Sequence, residues 1–117
     1  MSAADARPPE FSLTTEEESG GLVIRCNGRL MGEGATLLRN TVRPLLTAHR
    51  RIVLDFSDVT HADSMGLGAV AGLYVSSKTA GCQIQLVNLG TPIRKLFSMT
   101  NLVTLFEVPA NDTVRLP

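Results

Sequence analysis

Aromatic residues are scarce in this chain of 117 residues, with four Phe, one Tyr and no Trp. Binding of single-stranded nucleic acid draws on such rings as stacking platforms, so that class is disfavoured and the core falls to Leu, Ile, Val and Ala. Net charge is also lacking, since Lys+Arg and Asp+Glu stand at 11 each. Without an overall field, nothing draws the protein to nucleic acid or acidic lipid. The two cysteines, Cys26 and Cys82, form neither a disulfide framework nor a metal-ligand spacing, and they read as buried small hydrophobes. Long apolar runs are missing too: the uncharged stretch Met65 to Ser77 contains three glycines and is too short to cross a bilayer. Met1 to Glu18 has no basic start followed by an apolar stretch, so it predicts neither a signal peptide nor an anchor. A cytoplasmic domain without membrane insertion is expected.

What is present is enough for one core. Residues 1–10 read as a flexible polar leader, 11–108 as the domain and 109–117 as a tail. Phe11 to Glu16, a Gly20-Gly21 turn and Leu22 to Gly28 predict an antiparallel hairpin. From Ala35 to His49, Leu37, Leu38, Thr41, Val42, Leu45 and Leu46 recur at helical spacing, with a kink or early break expected at Pro44. Arg50-Arg51 reads as a solvated lead into the apolar strand Ile52 to Phe56, and Ser57 to Ala62 as a loop. The next helix is expected from Ser64 to about Ala80, facing Leu67, Val70, Ala71 and Tyr74 inward and ending on Gly81. A strand over Gln83 to Leu89, a helix opened by Thr91-Pro92 and a last strand over Val103 to Val108 complete the reading. This alternation predicts an α/β sandwich: a mixed sheet of four to five strands with helices packed on it.

The stretch His61-Ala62-Asp63-Ser64-Met65-Gly66-Leu67-Gly68, between strand and helix, is where function is expected. A hydrolase is disfavoured. Ala62 stands two residues before Ser64, so the G-x-S-x-G elbow is incomplete, and His61, Asp63 and Ser64 are too close in sequence to take up an ordered triad. The glycines from Gly66 to Gly72 resemble a dinucleotide loop, but the first follows the helix cap and the next strand ends in Asn88 where an acid is required. No catalytic residue, cofactor or metal site is therefore assigned; Asp55 lies in the strand, and Asp58 and Asp63 suit turn and cap roles. Ser64 itself has two readings, a helix cap or a phosphate acceptor beside helix N–H groups. Met65, Gly68, Ala69 and Gly72 fall to the sides of the helix or outward, a low surface that another protein can approach closely. Met65 is either a core filler or a soft contact residue.

Arg51-Ile-Val-Leu-Asp-Phe-Ser-Asp-Val-Thr-His-Ala-Asp-Ser-Met-Gly-Leu-Gly68, then Gly81-Cys-Gln-Ile-Gln-Leu-Val-Asn88 and Pro92-Ile-Arg-Lys-Leu-Phe-Ser-Met-Thr-Asn-Leu102, resemble the STAS domain of bacterial anti-sigma factor antagonists. The resemblance implies partner switching. Such a protein binds an anti-sigma factor that is a serine kinase, the kinase phosphorylates the serine matching Ser64, and a PP2C-type phosphatase restores it. ATP then belongs to the kinase. The partner surface implied here comprises Asp63, Met65, Gly66, Gly68, Ala69, Gly72 and Met31. Met65 departs from a frequent second hydroxyl residue. Met31, in Gly28-Arg29-Leu30-Met31, departs from a frequent acidic or hydroxyl residue. STAS domains also serve as non-catalytic subunits of ABC-type lipid transport systems, as stressosome parts and as tails of anion transporters, which stand as alternatives.

Overall fold

Alternation along Gly21–Leu30 buries Leu22, Ile24 and Cys26 and leaves Arg25 and Asn27 exposed, the period-two pattern of a strand with one covered face. In the computed structural model, which describes residues 10–99 and 114–115, this strand, β2, pairs antiparallel with β1 (Phe11–Glu18). The turn between them falls on Ser19-Gly20. β2 also pairs in parallel with β3 (Arg51–Ala62), and β3 in parallel with β4 (Gln83–Val87). A two-residue strand, β5 (Val114–Arg115), adds antiparallel to β4, giving the order β1-β2-β3-β4-β5. The sheet is therefore mixed, as expected. The tail reading of 109–117 is corrected at β5, and the strand expected at Val103 to Val108 lies outside the described residues.

Two parallel crossovers advance across the sheet in one direction, and their right-handedness puts both helices on one face. The first helix, α1, spans Glu33–Val42 and gives way to a 3-10 turn over Arg43–Leu45. Pro44, which cannot donate its own backbone bond, sits in that turn and causes the early break. Leu37 is not part of the inner stripe. The helix rests on Gly34, Ala35, Leu38 and Val42, a set rotated away from Leu37, which is 41% exposed.

The second helix, α2, spans Ser64–Ala80 and stops where Gly81 takes a left-handed conformation (φ 74°), open to glycine without penalty. Its inner face is Gly66, Leu67, Ala69, Val70, Leu73 and Ser77. Ala71 and Tyr74, expected inside, are only half-buried. A third helix, α3 (Thr91–Met99), brings Ile93 and Phe97 into the same core as Ile24, Leu54, Phe56 and Leu86.

Ser57 to Ala62 is the second half of β3, not a loop. Asp58 to Ala62 pair with Asn27 to Leu30 across register shifts between Arg25 and Asn27 and between Gly28 and Arg29. Such irregularities interrupt the inside–outside alternation, which hides the strand from a pattern reading. β4 ends opposite Asp55, so β3 runs on past its neighbour and carries the Asp63-Ser64 junction beyond the centre of the sheet. At the other edge, His49 joins the end of the 3-10 segment to β1: its Nδ1 lies 3.1 Å from the Leu45 carbonyl and its Nε2 3.1 Å from Glu17 Oε1.

Candidate functional site

The junction is organised by Asp63. Extended backbone (φ −126°, ψ −171°) places it as the N-cap of α2, where its Oδ1 accepts from Met65 N at 3.0 Å and Gly66 N at 3.1 Å. One carboxylate thus satisfies two of the free donors of a helix start. Ser64 is left as the first helical residue, exposed, and among the described residues its hydroxyl makes no hydrogen bond. The two sequence readings of Ser64 are thereby separated, since capping belongs to Asp63.

The neighbouring side chains do not form a nucleophilic triad. Thr60 donates its hydroxyl proton to the Gly28 carbonyl at 3.3 Å, so it accepts from His61 Nδ1 at 3.0 Å. Asp63 is committed to the helix. Asp55, the other carboxylate weighed from sequence, is occupied as well. Its Oδ1 accepts from Ser57 N at 2.9 Å and Asn88 Nδ2 at 3.1 Å, and its Oδ2 lies 3.7 Å from Arg25 Nε. Burial raises the Asp55 pKa, but the bonds from Asn88 and Ser57 and the Arg25 charge outweigh it and hold the carboxyl below its ordinary value. Among the described residues no group of three His, Cys, Asp or Glu side chains is placed to hold a metal ion. Cys26 is buried, and burial first, then the Asp55 charge, pushes its thiol up to about 12; Cys82 is buried and raised by burial too.

The residues expected to meet a partner divide in two. Met65 is 53% exposed, Gly68 is exposed and Gly72 half-buried, and a Cβ added to either glycine would meet nothing within 4 Å among the described residues. Met31, half-buried, lies in the turn after β2, its carbonyl accepting from Gly34 N at 2.9 Å. Gly66 and Ala69 turn the other way and are buried. They lie on the buried face of the helix, Gly66 against Leu30 of β2, and are not part of its exposed side. Val75, which sequence reading left out, is 64% exposed. Its spacing from Met65, Gly68 and Gly72, three, four and three residues in turn, sets it on the same outer stripe.

The family model for the STAS domain matches residues 12–115. The chain belongs to the STAS family. Among curated proteins, the anti-sigma-B factor antagonist of Bacillus subtilis (strain 168) is 24% identical to this STAS domain over 102 residues, 87% of this chain and 94% of the relative. Among solved structures, an anti-sigma factor antagonist from Mycobacterium paratuberculosis superposes with a TM-score of 0.71 at 22% identity, covering 89% of this chain and 86% of that one. The anti-sigma factor antagonist SpoIIAA in its unphosphorylated form superposes at 0.67 with 22% identity (78% and 82% covered). Its phosphorylated form gives 0.64 with 23% identity (78% and 85% covered). These likenesses establish the STAS fold. Among the described residues no helix is long and apolar enough to cross a membrane.

Proposed function

We propose that the chain is an anti-sigma factor antagonist, a binding protein and not a catalyst, that docks a cytoplasmic anti-sigma factor serine kinase at the start and outer face of α2. Phosphorylation of Ser64 releases it, and a PP2C-type phosphatase resets it. The observation that carries this reading is the exposed, unbonded Ser64 hydroxyl beside exposed Met65, with Asp63 capping the helix in its place. The names of the relatives and the existence of a phosphorylated SpoIIAA structure support it.

The chemistry follows from the cap. A phosphate on Ser64 adds roughly −1.5 to −2 charges directly after the Asp63 carboxylate. The N–H groups of Met65 and Gly66, which would otherwise stabilise an anion at a helix start, are already bonded to Asp63. The new charge therefore stays in water and resists desolvation under a partner. Docking weakens while the fold persists.

Incubation with the cognate kinase and ATP, read by mass spectrometry, is expected to place one phosphate on Ser64. Ser64→Ala retains kinase binding and takes no phosphate, while Ser64→Asp lowers kinase affinity by roughly tenfold or more. Unchanged affinity of Ser64→Asp, or stable co-purification with an ABC-type ATPase in place of a kinase, overturns the proposal.

A further inference from the structure

The β1–β2 turn and the start of β3 enclose a cleft of about 260 Å³ lined by Glu18, Ser19, Gly20, Gly21, Val23, Arg51 and Val53. It lies at the far end of β3 from Ser64, and twelve strand residues span roughly 35 Å. Val23 and Val53 are paired in register and half-buried, so two adjacent strands supply apolar side chains to one wall. The polar part is Arg51. Its Nε donates to Gln85 Oε1 at 2.9 Å and its Nη2 donates to the same oxygen.

Gln85 is only 6% exposed, and its position opposite Val53 in the β3–β4 register puts it beside the cleft. An amide oxygen orients a guanidinium without neutralising it. Among the described residues no carboxylate lies within ion-pair distance of Arg51, and its Nη1 makes no hydrogen bond. That nitrogen lies over the turn: a Cβ built on Gly20 would come within 3.0 Å of it. Gly21 (φ 146°) brings the hairpin backbone closer still, since a Cβ there would sit 2.3 Å from the Arg51 carbonyl oxygen. The cleft therefore holds an oriented cation with both Nη1 N–H groups unbonded, an apolar wall and one carboxylate, Glu18, in its lining.

We infer that this cleft binds a small monocarboxylate with a short apolar body. Arg51 Nη1 takes the carboxylate by charge-assisted hydrogen bonds, Val23 and Val53 cover the hydrocarbon, and Glu18 repels a second negative charge. A cleft below drug-sized volumes limits the guest to a few carbons. This assignment is independent of the role proposed for Ser64.

The test is an amide-resolved NMR titration of the full chain with sodium isovalerate, against isovaleramide and inorganic phosphate. Isovalerate is expected to bind in the millimolar range, shifting Gly20, Gly21, Val23 and Val53 and leaving Ser64 to Gly68 in place. Isovaleramide, and isovalerate added to Arg51→Gln, are expected to bind at least about tenfold more weakly. Gln85→Glu leaves Arg51 in place but neutralises it, and carries the same expected loss. Should the Arg51 or Gln85 variant fail to fold, Glu18→Gln, a change on the exposed turn, decides: tighter isovalerate binding and admission of phosphate support the site. Equal shifts with isovaleramide, unaltered affinity in folded Arg51→Gln, or unchanged or weaker affinity in Glu18→Gln overturns it.

Discussion

On the inner face of α2, Gly66 lies so close to β2 that an added Cβ would sit 2.2 Å from the Leu30 carbonyl oxygen, whereas a Cβ added to Gly68 or Gly72 on the outer side would meet nothing within 4 Å among the described residues. Both sets lower the helix surface. The inner glycine lets helix and strand touch, and no other residue fits without moving backbone. The outer two weaken the helix by their conformational freedom, and among the described residues no neighbour would meet a Cβ at either. Packing accounts for Gly66, whereas no neighbour among the described residues requires a glycine at Gly68 or Gly72, which line the face proposed for docking. Ser64 and Met65 follow the same division: both are exposed on a helix whose inner residues are sealed.

The sharpest way to break this contrast is to fill both sides. Gly66→Ala is expected to cost about 2 kcal/mol, even after the better helix propensity of Ala, read as a fall in urea midpoint at constant slope. Asp63→Ala is expected to cost about 1 kcal/mol through the lost cap, with Asp63→Asn restoring most of it because the amide oxygen still accepts. On the outer face the sign reverses. Gly68→Ala and Gly72→Ala are each expected to stabilise the fold by about 0.5–1 kcal/mol while weakening kinase binding. Stability and affinity moving together would erase the distinction between the two faces.

The smallest effect lies away from α2 and sharpens the contrast by showing an edge contact that responds to pH. Both partners of His49, the Leu45 carbonyl and the Glu17 carboxylate, only accept hydrogen bonds, so full satisfaction needs the imidazolium. The Glu17 bond first, then the Leu45 bond, raise the His49 pKa; burial opposes them and the Glu17 charge adds to the rise. A raised folded-state pKa means that this contribution is complete below the unfolded value of about 6.5. It is lost as pH climbs through the higher folded value. Urea midpoints at pH 6 and pH 8 are expected to differ more for the native chain than for Glu17→Gln.

Pattern reading worked where local physics is decisive. Leu22, Ile24 and Cys26 alternate as a half-covered strand must; Pro44 breaks a helix because it lacks a donor; Gly81 ends one because it accepts a positive φ. It failed at Ser57 to Ala62, where two register shifts break the alternation. It misplaced Leu37 and Ala69 by a modest rotation of each helix, since apolar spacing marks a stripe but not which edge of it meets the sheet. Arg51 is exposed at the entrance of β3, as expected, but its bond to Gln85 was not legible because that side chain is 34 positions away.

By itself, then, the sequence determined the STAS framework, one mixed sheet with its helices, and the placing of Asp63-Ser64, the site proposed for function, at the start of a helix, since strand periods, caps and breakers act over a few residues. Tertiary structure alone decided that Gly66 and Ala69 face inward while Val75 faces out, and that Arg51 is held by Gln85. Each depends on how one element lies against another, which no local pattern encodes.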